Sequence, residues 1–114
     1  MDSKLTSLRQ RETETFAEFL KARGAYLKAA APSARKSDAE LKEAVEEYLK
    51  AAERYETALQ ELREYLRGAE LSGAMAAELG YAERLLKAIH KEMRASSKLL
   101  NIYIKLSGRH AEEE

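Results

Sequence analysis

The chain has 114 residues, of which 35% are charged, and it contains one proline, no cysteine and a formal net charge of zero. This length supports one domain with a single modest core, and the composition is typical of long amphipathic helices. The absence of cysteine excludes disulfides, thiolate zinc sites and cysteine nucleophiles. No segment is apolar for long enough to span a bilayer or to act as a signal peptide, so we expect a soluble, cytoplasmic protein.

The first predicted helix covers about residues 4–31 and ends before Pro32, because proline disfavours helical backbone at the residue that precedes it. Its apolar side is carried by leucine and aromatic residues: Leu5, Leu8, Phe16, Phe19, Leu20, Tyr26, Leu27. Glu12, Thr15 and Arg23 interrupt that side. We therefore expect this helix to pack less regularly than the others, especially in its N-terminal third.

The second predicted helix covers about residues 37–67. Ser37 and Glu40 have the spacing of a capping box, and Gly68 is a residue type that commonly ends helices. Apolar and aromatic residues recur at alternating intervals of four and three, the pattern of helices that pack side by side along their length. They are Leu41, Val45, Tyr48, Ala52, Tyr55, Leu59, Leu62, Leu66.

The third predicted helix covers about residues 72–107 and has a heptad pattern of the same kind. That pattern runs through Met75, Leu79, Ala82, Leu86, Ile89, Met93, Ser96, Leu100, Tyr103. Gly73 and Gly80 each weaken the beginning of the helix by roughly 1 kcal/mol, which predicts irregular first turns. Residues 1–108 are predicted to form the single domain, and residues 109–114 an acidic, frayed tail.

Both predicted connections are short, so consecutive helices must run antiparallel. The sequence therefore predicts an all-α fold, an up-down-up antiparallel three-helix bundle with long, coiled-coil-like helices.

The third helix carries more apolar surface than two neighbours require. Beside its heptad pattern lies a second apolar stripe, and we interpret it as a protein interface for self-association or for a helical partner. The predicted interface residues are Tyr81, Leu85, Ala88, Ala95, Leu99, Ile102, Leu106. The alternative interpretation is that this helix lies deep against both other helices. The apolar residues between Leu99 and Leu106 have two possible roles: docking a partner, or packing on the Ala29–Ala34 connection.

The opposite side of the third helix is basic and carries no carboxylate. We call it the basic ridge: Arg84, Lys87, Lys91, Arg94, Lys98, Lys105. At 1.5 Å per residue the ridge is about 31 Å long, enough to contact several phosphates of a nucleic acid without reading its sequence. The alternative is a solvated lysine face, balanced in an assembly by the acidic second helix of another copy.

Catalytic chemistry has little support in this sequence. His90 is predicted to flank the packed side of the third helix, and His110 lies in the tail, so no metal-ligand set is formed. We expect no enzyme activity, no cofactor and no small-molecule substrate. The predicted function is a non-enzymatic helical interaction module, with a nucleic-acid-associated accessory protein as the alternative and an enzyme built on His90 as the least supported.

Overall fold

The computed structural model describes residues 3–31, 38–69 and 72–113, with side chains described up to Lys98 and at Asn101 in the last range. The three helices are α1 (Ser3–Ala30), α2 (Asp38–Gly68) and α3 (Gly73–Glu113). They pack into an elongated body of 63 × 19 × 19 Å, which confirms the predicted all-α three-helix bundle. Ser37 of the predicted capping box and residues 32–34 of the Ala29–Ala34 connection lie outside the described residues.

The helix bounds differ from the predicted ones mainly in α3. This helix is continuous from Gly73 through Gly80, so its first turns are regular where irregularity was predicted. It also continues through Gly108 to Glu113, beyond the predicted end at residue 107. A single glycine costs a helix only about 1 kcal/mol, so it weakens the helix without ending it.

The core follows the heptad patterns of α2 and α3. All eight pattern residues of α2 are buried, with Val45, Ala52 and Leu66 fully inaccessible to solvent. In α3, Ala82, Leu86, Ile89 and Ser96 are buried. Met75, Leu79 and Met93 are half-buried, and the side chains of Leu100 and Tyr103 lie outside the described set. The heptad spacing therefore predicted the packed sides of both helices.

Helix α1 packs on α2 along its whole length, including its N-terminal third. Leu5 and Leu8 are buried against Leu62 and Leu66, so the looser packing predicted for this third is not observed. Further along, Phe19 is buried in a second cluster with Tyr48, Tyr55 and Leu59 of α2 and with Ala82, Leu86 and Ile89 of α3.

The three polar residues that interrupt the apolar side of α1 all have partners. Glu12 accepts a hydrogen bond from the Tyr55 hydroxyl at 3.2 Å. Thr15 Oγ1 donates to the backbone carbonyl of Arg11 at 2.7 Å. Arg23 forms an ion pair with Glu92 of α3 at 2.7 Å. These partners explain why the interruptions do not detach the helix from the bundle.

Helices α1 and α3 both pack on α2. They contact each other through side chains such as Arg23 and Glu92, but their backbones are separated. Among the described residues, no Cα atom of α1 lies within 8 Å of one in α3. Helix α2 is therefore the central element, and the opposite side of the bundle is open between the two outer helices. In the described part of the chain, no helix is sufficiently long and apolar to cross a membrane.

Candidate protein interface

A groove of about 660 Å³ runs between α1 and α3, with α2 beneath it. Its α1 side is formed by Phe16, Phe19, Leu20 and Arg23, and its base by Tyr55. Its α3 side is formed by Leu85, Ala88, Ile89, Lys91, Glu92, Ala95. Most of these side chains are apolar. The two walls belong to helices whose Cα atoms are more than 8 Å apart among the described residues.

Two ion pairs join α1 to α3 and fix the register of the two helices. Arg9 donates two hydrogen bonds to Glu78, at 2.9 and 2.6 Å, and Arg23 donates to Glu92 at 2.7 Å. Both pairs join residues 69 positions apart in sequence. The same offset places Phe16 level with Leu85, where the apolar lining of the groove begins. These exposed ion pairs are each worth at most about 1 kcal/mol, so they set register more than stability.

The groove and its rim expose large apolar side chains to solvent. Phe16 of α1 is 38% exposed, Leu20 is 47% exposed, and Tyr81, one turn before the groove-lining Leu85 on α3, is 58% exposed. Single exposed apolar residues are ordinary, but a contiguous set along one groove is typical of a binding surface.

The predicted interface residues lie along the α3 side of this opening. Tyr81, Ala88 and Ala95 are exposed and Leu85 is half-buried. The side chains of Leu99, Ile102 and Leu106 lie outside the described set. Sequence reasoning missed the contribution of Phe16 and Leu20, which it assigned to internal packing of α1. The sequence showed that both residues belong to the apolar side of α1, but it did not predict the separation of α1 from α3.

The base of the groove is an aromatic cluster with two buried hydroxyl groups. Tyr55 packs against Phe16 and Phe19, with ring centroids 5.2 and 5.6 Å apart, and its hydroxyl reaches Glu12. Burial, with the neighbouring Glu12 carboxylate, raises the pKa of Tyr55 well above its usual range. The Tyr48 hydroxyl is buried outside hydrogen-bonding geometry with any described group. Burial, assisted by the field of Glu92, raises the pKa of Tyr48 as well.

The basic ridge lies on the solvent side of α3, and its Lys91 also borders the groove. Arg84, Lys87, Lys91, Arg94 and Lys98 are all exposed, and among the described residues none of these five forms an ion pair. The side chain of Lys105 lies outside the described set. Lys87, Lys91 and Arg94 also line a shallow depression together with His90.

His90 lies at the boundary between α2 and α3. Its Nε2 is 3.1 Å from Glu56 Oε1, which also accepts a hydrogen bond from Gln60 at 3.1 Å. No group of three or more metal-ligating side chains occurs within the described ranges. The geometry around His90 is thus a solvent-exposed contact between two helices.

Comparisons with protein-family models, curated proteins and solved structures gave no match to this chain. The fold and the groove together define its class, an all-α three-helix bundle with an open apolar groove between its outer helices.

Proposed function

We propose that this protein is a non-enzymatic, cytoplasmic helical interaction module that self-associates through the groove and the adjoining α3 stripe. The observation that carries the proposal is the exposed apolar set Phe16, Leu20 and Tyr81 along the opening between two helices whose backbones are well separated. Apolar surface buried against a partner's helix contributes about 25 cal/mol of binding free energy per Å². Three large side chains can form the centre of such a contact.

The shape of the opening favours a helix as the bound element. Three helices with α2 in the middle leave one position of a four-helix bundle empty, between α1 and α3. Helices pack at 8–10 Å when ridges of one fit grooves of another, and small side chains allow the closest approach. Ala88 and Ala95 supply such small side chains on the α3 wall, while Phe16 and Leu20 supply bulk on the α1 wall.

Substitution of Tyr81 by glutamate is expected to abolish self-association, because a charge would be buried at the rim of the interface. Sedimentation velocity at micromolar concentration measures the change. Wild type is expected to sediment as a dimer and Tyr81→Glu as a monomer.

The matched control is Ala77→Glu, which adds the same charge to the same helix at an exposed position one turn away, on the outward side of the heptad pattern. It is expected to sediment like wild type. Both substitutions are at exposed positions, so both variants should keep the helical circular dichroism of wild type. A monomeric wild type, or a Tyr81→Glu variant that still dimerises, would refute the proposal.

A second candidate function rests on a separate observation, the row of unpaired cations in the basic ridge. Arg84 to Lys98 spans about 21 Å without a neutralising carboxylate, a spacing suited to nucleic-acid phosphates. The ridge has no aromatic side chain between its cations, so it would bind backbone without base stacking or sequence readout.

Binding of a labelled duplex should weaken steeply as salt is raised, because phosphate contacts release counterions. Changing Lys87, Lys91 and Arg94 to glutamate should reduce binding at low salt by at least about tenfold, since three phosphate contacts become repulsive. The control changes Lys21, Lys28 and Lys50, exposed cations on the other helices, and should reduce binding much less. Failure of the wild-type protein to bind at low salt would eliminate this candidate.

A further inference from the structure

We infer that two copies of this chain associate antiparallel through α3, with the C-terminal part of each α3 seated in the groove of the other copy. This inference rests on the proposed self-association and specifies its geometry. The groove is the acceptor surface, and the occupant is a segment of a second copy. Each chain supplies both elements, as a two-fold symmetric interface requires.

The length of α3 suits this arrangement. Helix α3 has 41 residues, against 28 in α1. The offset of 69 that joins Arg9 to Glu78 makes Ala30, the last residue of α1, level with residue 99. Residues 100–113 therefore extend past α1 by about 21 Å. On its α3 side the groove spans Leu85 to Ala95, about 15 Å. Residues 92–102 of a second α3 match this length, and its projecting end reaches beyond the groove along α1.

A second heptad pattern runs along α3, and we call it the outer ladder. Its residues again alternate at intervals of four and three: Tyr81, Leu85, Ala88, Glu92, Ala95, Leu99, Ile102, Leu106. Of the described members, Leu85, Ala88, Glu92 and Ala95 line the groove, and Tyr81 lies one turn before Leu85. The remaining members belong to the projecting end of the helix or adjoin it. A helix with two such ladders can pack against other helices on two of its sides.

The outer ladder is self-complementary when two copies run antiparallel. An alignment centred between Glu92 and Ala95 brings Tyr81 level with Leu106 of the second copy and Leu85 level with its Ile102. It also brings Ala88 level with the second copy's Leu99. Small residues are then level with larger ones at Ala88–Leu99 and at Ala95–Glu92, which favours interdigitated packing at the centre of the interface.

A parallel arrangement lacks this complementarity. It would place Ala88 against Ala88 and Ala95 against Ala95, which leaves unfilled space, and it would bring the two Glu92 carboxylates to the same level. In the antiparallel arrangement each Glu92 lies level with the second copy's Ala95 and keeps its ion pair with Arg23. The charge at the centre of the interface is therefore neutralised within its own chain.

Disulfide crosslinking tests this alignment. Because the chain has no cysteine, every disulfide that forms must join introduced cysteines. The variant with Ala88→Cys and Leu99→Cys should form a dimer on mild oxidation, since the alignment makes these positions level in the two copies. A disulfide requires Cα atoms within about 7 Å. Within one chain the two positions are about 16 Å apart on a rigid helix, so they cannot join to each other. A second pair, Leu85→Cys with Ile102→Cys, tests the same alignment independently of Leu99.

The control is Ala88→Cys alone, which should not crosslink, because in the antiparallel dimer the two copies of residue 88 are about 16 Å apart along the axis. Efficient crosslinking by this single variant would overturn the inference in favour of a parallel dimer. Absence of crosslinking by both double variants, with a wild-type protein of dimer mass, would overturn the inference and leave the proposed function standing. A wild-type protein of monomer mass would overturn both.

Discussion

Replacement of Leu59 by alanine is expected to lower the free energy of unfolding by about 2–5 kcal/mol. Leu59 is among the most deeply buried large side chains, at 1% exposure, in the cluster that joins all three helices. Its truncation leaves a cavity where α1 and α3 both rest on α2, so the bundle cannot close the space by moving one helix. Urea denaturation followed by the helical circular dichroism signal measures the loss.

The control for this substitution is Leu27→Ala, because Leu27 is 52% exposed and its truncation creates no cavity. It is expected to change stability by less than about 0.5 kcal/mol in the dilute monomer. If Leu59→Ala and Leu27→Ala destabilised the protein equally, the central position assigned to α2 would be wrong.

Alkaline pH is expected to destabilise the protein through Tyr48 and Tyr55. Burial raises the pKa of both above the ordinary tyrosine value of 10.0. The unfolded chain therefore loses these protons at lower pH than the folded chain, and stability falls as the pH rises above about 10. Each tyrosine contributes about 1.4 kcal/mol of loss per pH unit until its folded-state pKa is reached. Below pH 10 this contribution is fully retained.

Urea denaturation at successive pH values from about 9 to about 12, where tyrosine and lysine side chains titrate, measures this loss. The double variant Tyr48→Phe, Tyr55→Phe should lose stability much more gradually over the same range, with lysine titration accounting for the remainder. The variant should fold, because the Tyr48 hydroxyl has no hydrogen-bond partner to lose among the described residues and Glu12 regains water when Tyr55 is replaced. An equal pH dependence in wild type and variant would contradict the assigned burial of the two hydroxyls.

The heptad patterns made α2 and the middle of α3 predictable from sequence. Spacing of four and three decides which residues share a helix face. The charged and polar residues between them exclude the other faces of the helix from the core. That is why all eight pattern residues of α2 are buried. The same reasoning identified Tyr81, Ala88 and Ala95 as apolar surface in excess of the pattern, and all three are exposed in the single chain.

The groove was not predictable in the same way. Periodicity describes one helix at a time, whereas the gap between α1 and α3 depends on how two helices share a third. Phe16 and Phe19 illustrate the limit, since both lie in the apolar side of α1, yet Phe19 is buried and Phe16 borders the groove. The pairing of Arg23 with Glu92 depends on the register between α1 and α3, which neither helix's sequence specifies alone.

The most direct test of the groove as an interface is the molar mass of the wild-type protein in solution, measured by light scattering over micromolar concentrations. The expected result is a mass that approaches twice the 12.9 kDa of one chain as the concentration rises. A mass that stays at 12.9 kDa at every concentration would contradict the account.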